Sequence, residues 1–205
     1  MDPALRLRTL LVACWMLGML AVPVATSGAA EESRGREVFV AKQCNICHEE
    51  RAVLQAPHLS RLRKDRTLFQ LITDMWNHAP MMWANLPEPG LRWPRLSAAE
   101  MADLAVYLNG SAPKDPAPDR RRGQIVLTRK HCLACHTMGG QGAGLARESG
   151  HLPRLEQDAA WAAALWNHAP KMLAQTPEKK VEYPTIEWKE LVDLIGFLRD
   201  GLRPR

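Results

Sequence analysis

Beyond residue 30 the 205-residue chain has no apolar run long enough to cross a bilayer, no alternating strand pattern and no low-complexity tract. Those absences argue against a second membrane span, a β-rich fold and a disordered or fibrous chain. Clustered Lys/Arg is missing too. The 27 basic and 22 acidic residues leave a net charge of only +5, spread along the chain. A nucleic-acid binder concentrates its basic residues in a stripe that neutralises phosphates, so no nucleic-acid partner is expected. With 46% hydrophobic and 24% charged residues, the composition is that of an ordinary globular protein.

The long apolar run that does occur is at the start. Arg6 and Arg8 precede an apolar segment from Leu10 to Val24, and Gly28-Ala29-Ala30 offers small residues for cleavage before Glu31. Residues 1–30 therefore read as a cleaved secretory signal, shorter than a comfortable span of about 20 apolar residues. Leu11-Val12-Ala13-Cys14 superficially resembles a lipoprotein box, but the apolar run continues past Cys14, so lipid anchoring there is set aside. The expectation is export, to the periplasm, of a chain with no integral membrane segment after cleavage.

Four cysteines remain, in two copies of Cys-x-x-Cys-His: Cys44-Asn45-Ile46-Cys47-His48 and Cys132-Leu133-Ala134-Cys135-His136. In an exported chain four cysteines suggest two disulfides, yet disulfides leave His48 and His136 unexplained. A thioredoxin-like pair needs a βαβ context that is absent, and a zinc ribbon needs closer Cys pairs. One match to this motif is expected by chance about 0.004 times in a chain of this composition, and it is the attachment signature of c-type haem. Two thiols three residues apart on a helical turn can each form a thioether to one porphyrin. The adjacent histidine then ligates the iron from the proximal side. Two covalently bound haem c groups are expected, on Cys44 and Cys47 and on Cys132 and Cys135.

The chain repeats itself. Arg34-Gly35 through Cys44 aligns with Arg122-Gly123 through Cys132, and Trp76-Asn77-His78-Ala79-Pro80 recurs as Trp166-Asn167-His168-Ala169-Pro170. Trp93-Pro94 becomes Tyr183-Pro184, and His58-Leu59 becomes His151-Leu152 in a second copy with a longer, glycine-bearing loop. Two copies of this size indicate a duplicated domain, over residues 31–110 and 120–205. The Pro-rich stretch 111–119 between them reads as an extended, semi-rigid spacer. The regular signals are helical. Leu68, Leu71, Ile72 and Met75 form one stripe, ended by Pro80; Met101, Leu104, Ala105 and Leu108 form another, with a Ser97-x-x-Glu100 capping box before it and Asn109-Gly110 after it. Leu191, Leu194, Ile195 and Leu198 repeat that stripe. The fold class expected is all-α.

Each half resembles a class I c-type cytochrome, and the resemblance covers essentially the whole chain after residue 30. It implies two tandem cytochrome c-like helical domains, each wrapped around one covalently attached haem, with the last helix packed back on the first. It also implies a distal methionine near a proline, a position that falls on Met82 and Met172. Met81 competes in the first copy, but its counterpart is Lys171; Met138 lies only two residues beyond His136. Histidine is the alternative distal ligand, through His78 and His168 of the repeated pentapeptide, and would give haems of lower potential. His58 and His151 come third. They lie in a segment resembling the Gly-Pro-x-Leu loop of these cytochromes, where a backbone carbonyl orients the proximal histidine. The first copy has Ala56-Pro57-His58-Leu59, whereas the second has Gly150 where proline is expected. Trp76, Trp166, Trp93 and Tyr183 are read as packing residues around the porphyrin.

Function follows as a carrier of single electrons between redox partner proteins, free or as a subunit of a larger complex, and not as an enzyme. A dihaem peroxidase-like enzyme or a gas sensor would need one iron with a displaceable ligand. Neither copy has lost its His and Met equipment, so neither looks specialised for turnover.

Overall fold

The computed structural model describes residues 27–49, 56–59, 65–87, 90–110, 113–137, 142 and 157–201. Residues 1–26, which hold Cys14 and most of the expected signal segment, lie outside the described residues, as do Met138, Gly150 and His151. The described part is all-α, with no strand. Among the described residues no helix is long and apolar enough to cross a membrane. Among the described residues seven α-helices follow in order: α1 (Ser27–Ala41), α2 (Asn45–His48), α3 (Leu68–Asn85), α4 (Ala98–Asn109), α5 (Arg120–Arg129), α6 (Asp158–Gln175) and α7 (Trp188–Gly201). A short 3-10 turn at Cys132–Ala134 takes the place of α2 in the second half.

In each half the first and last helices cross at a glycine. A Cβ on Gly35 of α1 would stand 2.0 Å from the Asp103 carbonyl oxygen of α4, and one on Gly123 of α5 would stand 2.1 Å from that of Asp193 in α7. Only a residue without a side chain lets the backbones approach so closely. Matching ion pairs flank the crossings, Arg34 with Asp103 and Arg122 with Asp193. Helix α4 starts at the Ser97/Glu100 capping box and stops at Gly110, whose φ is +69°. It buries Met101, Leu104, Ala105 and Leu108, the face that the periodicity marks out. Helix α7 buries Leu191, Leu194 and Ile195 in the same way.

One expectation fails. Pro80 does not end its helix: α3 runs on to Asn85, and α6 likewise passes through Pro170 to Gln175. An internal proline removes one backbone hydrogen bond and costs about 3 kcal/mol in an isolated helix. Here packing on both sides outweighs it, because Trp76 and Ala79 before the proline are buried and Met82 after it packs on the core. The local rule reads the chain alone; the helix is held by its neighbours.

The two halves share one core. A single cluster runs from Phe39, Ile72 and Met101 in the first half to Trp161, Ala162 and Ile195 in the second. Helix α3 packs on α6 and α7, and α4 packs on α6. Residues 113–119 between the halves carry no regular secondary structure, but they are tied to both sides. The Asp115 carboxylate accepts from Thr67 Oγ1 and the Phe69 amide at the start of α3, and from Trp188 Nε1 of α7. Pro118 fills the space over Gly196.

Candidate cofactor sites

Each Cys-x-x-Cys-His segment follows a left-handed residue at the end of a helix. Helix α1 ends in a Schellman motif: the Cys44 amide donates to the Phe39 carbonyl and the Gln43 amide to the Val40 carbonyl. This leaves Gln43 in the left-handed region at φ +62°, and His131, its repeat counterpart, at +57°. The chain then turns once. His48 N–H donates to the Cys44 carbonyl at 3.0 Å and His136 N–H to that of Cys132 at 2.9 Å. Cysteine and histidine thereby share one helical turn in both halves. None of the four cysteines is in a disulfide. Burial pushes the Cys44 and Cys132 thiols up to about 11, which disfavours the thiolate a redox dithiol uses.

In the first half these residues border a cavity of about 610 Å³, within the roughly 300–1,000 Å³ of cofactor pockets. Cys44, Cys47 and His48 line it, and so do His78 and Met82, one helical turn apart on α3. Phe39, Leu71, Leu104 and Leu108 supply apolar wall. The His48 Nδ1 lies 3.1 Å from the Pro57 carbonyl oxygen. That contact fixes the ring and leaves Nε2 for the cavity, the role expected of the Ala56–Leu59 segment.

The histidines approach each other in pairs, with their rings tilted. His48 and His78 have ring centroids 6.2 Å apart, and His136 and His168 5.7 Å apart. Two imidazoles on opposite sides of one metal, bonded at roughly 2.0–2.1 Å, have centroids about 6 Å apart. Burial, then His48, holds His78 below the usual imidazole value. Burial, then Lys171, does so for His136. Burial, then His136 and Lys171, brings His168 down to about 4. All three are therefore neutral at pH 7, the form that binds metal. Met82 and Met172 are half-buried and pack on the core, whereas Met81 is 62% exposed. Among the described residues no group of three or more His, Cys, Asp or Glu side chains is gathered as a metal cage.

No family model, curated protein or solved structure matches the chain.

The site also contains residues that sequence reasoning missed. Arg66 lines the cavity, with its guanidinium on Asp74 (2.6 Å) and Asn109 (3.2 Å), while its buried Nε has no partner. Arg92 lines the cavity as well. An unpartnered donor on a cavity wall fits a cofactor that brings carboxylates, as haem brings its propionates. No motif marks such an arginine; only its position beside the cavity does. Trp76, Trp93, Trp166 and Tyr183 form two cross-half pairs, Trp76 on Tyr183 at 4.9 Å and Trp93 on Trp166 at 4.3 Å. Trp166 also lines the first cavity. These pairs join the halves, a role that the sequence reading did not give them.

Proposed function

We propose that the protein is an exported c-type cytochrome with two covalently attached haems, built from two cytochrome c-like helical halves, that carries single electrons between redox partner proteins. The observation that carries this reading is the first cavity, whose wall brings Cys44, Cys47 and His48 together with His78 and Met82. The paired helix crossings at Gly35 and Gly123, and the Pro57 carbonyl on His48, support cytochrome c-like halves. When bound, haem supplies an iron that gains and loses one electron. The chain's own residues do the rest: the cysteines anchor, His48 and His136 ligate, Arg66 offers a donor to a propionate, and the apolar wall excludes water.

The distal ligand has two readings. The resemblance points to Met82 and Met172. The close histidine pairs, repeated in both halves, favour His78 and His168. We take the histidines as the ligands, which makes the protein a lower-potential carrier. Met82 and Met172, one turn later, then pack beside the site.

The mass of the exported holoprotein tests the reading first: it should equal that of the chain plus two haems, falling to one in a Cys44→Ala/Cys47→Ala variant. A chain without haem would sink the proposal. The ferric spectrum then separates the ligands. His78→Ala and His168→Ala should each turn one low-spin haem high-spin, with no methionine–iron charge-transfer band in the wild type. A band that disappears in Met82→Ala and Met172→Ala would instead make the methionines the ligands. A high-spin iron in the wild type would favour catalysis or gas binding.

A further inference from the structure

The wall of the first cavity is not built by the first half alone. Trp166, from α6 of the second half, lines it beside Pro94 and Leu96. Its ring is buried, and its Nε1 donates to the Pro94 carbonyl at 2.6 Å. Its own carbonyl accepts from Trp93 Nε1 at 3.1 Å. The next residue, Asn167, holds both backbone groups of Leu96: its Nδ2 donates to the Leu96 carbonyl (2.6 Å) and its Oδ1 accepts from the Leu96 amide (2.9 Å). Two adjacent residues of one half thus fix the wall segment of the other. The arrangement is reciprocal. Trp76 Nε1 donates to the Pro184 carbonyl at 2.7 Å, and Asn77 bonds both backbone groups of Ile186.

We propose that Trp166 is a positioning residue for the haem of the opposite half, so that the potential of the Cys44/Cys47 haem is set from the second domain. This rests on the haem reading above. Haem potential responds to burial, hydrogen bonding and solvent access around the group. Trp166 governs all three at the first cavity: it closes the wall with an apolar ring, holds the Pro94 backbone, and is backed by Asn167 on Leu96. The rival expectation is local. Trp166 stands two residues before His168 on the same helix, so a residue serving only its own half would act on the second haem.

The full-length holoprotein separates these. Wild type and Trp166→Phe, which keeps a ring but loses the donor to Pro94, are checked for two attached haems and titrated with a chemical reductant. Each wave is the uptake of one electron by one ferric iron, and the wave missing from the Cys44→Ala/Cys47→Ala variant belongs to the first half. The expected result is a larger midpoint shift of the first-half wave than of the second. Asn167→Ala, which frees Leu96, should do the same and serves if Trp166→Phe loads poorly. Loss of the first-half haem alone in either variant counts for the proposal. A larger second-half shift, no shift in either variant, or loss of the second-half haem alone overturns it. A wild type with fewer than two haems fails the haem reading itself.

Discussion

Gln43 holds a φ of +62° immediately before Cys44, the first cysteine of the repeated motif. A left-handed backbone costs a non-glycine residue roughly 1–2 kcal/mol, and the same departure recurs at His131. Strain at one position in both copies means that the turn matters more than the residue, since it releases the chain from the helix directly into the Cys-x-x-Cys-His segment. A β-branched residue tolerates this region worst. Gln43→Val should therefore lower stability, while Gln43→Gly should raise it by up to about 1–2 kcal/mol less the backbone entropy that glycine loses on folding. Denaturant melts of the two variants test this, and equal melts would remove strain from the account. The motif beside this turn was legible in the sequence because its chemistry is local: two thiols and an imidazole within five residues. The far side of the site was only half legible. His78 and Met82 lie one turn apart on a helix; the repeated pentapeptide marks the first and the resemblance points to the second, and the choice between them depends on which side chain meets His48.

Among the helices, the legible features are those a single segment contains. The Ser97/Glu100 box and the Met101–Leu108 stripe can be read without knowing what they pack against. The course of α3 past Pro80 cannot, because the packing that holds it comes from other parts of the chain. The glycines at the helix crossings belong to the same class, visible in the sequence as a repeated Arg-Gly but explained only by the partner helix. Gly35→Ala must push α1 off α4, since its Cβ would meet the Asp103 carbonyl at 2.0 Å. Overpacking of this kind costs about 1–3 kcal/mol. The melting temperature should fall, and an unchanged value would mean that the crossing yields freely. The α5/α7 crossing carries a pH term as well. Burial pushes the Asp193 carboxyl up, but Lys189, the Asp119 amide and Arg122 together pull it further down, leaving it below the ordinary carboxylate value. The folded state thus holds this proton less tightly than the unfolded chain does. The stabilisation is complete above the ordinary carboxylate pKa and is lost as pH falls through the lower folded value. Asp193→Asn should flatten the acid limb of the stability–pH curve. A limb as steep as in the wild type would assign it to other carboxylates.

For the molecule as a whole, duplication has produced two halves that no longer close their cores alone. The repeated pentapeptide divides its work: tryptophan and asparagine hold the opposite half, histidine faces its own site, and alanine, fully buried in both copies, fills the core. Repeat identity marks the pentapeptide as important, but no periodicity in the sequence reveals that Asn77 meets Ile186, 109 residues away. The Asp115 bonds to Thr67 and Trp188 add a third tie between the halves. A shared core with reciprocal clamps makes unfolding all-or-none, since exposing one half strips buried surface from the other. The protein should melt in one calorimetric transition, with calorimetric and van't Hoff enthalpies equal. Asn77→Ala leaves the Ile186 amide and carbonyl without their partner, a loss of about 1–3 kcal/mol for buried groups. It should lower the single transition without splitting it. Two resolved transitions in the wild type would mean that each half folds independently, and that the clamps only dock domains already complete.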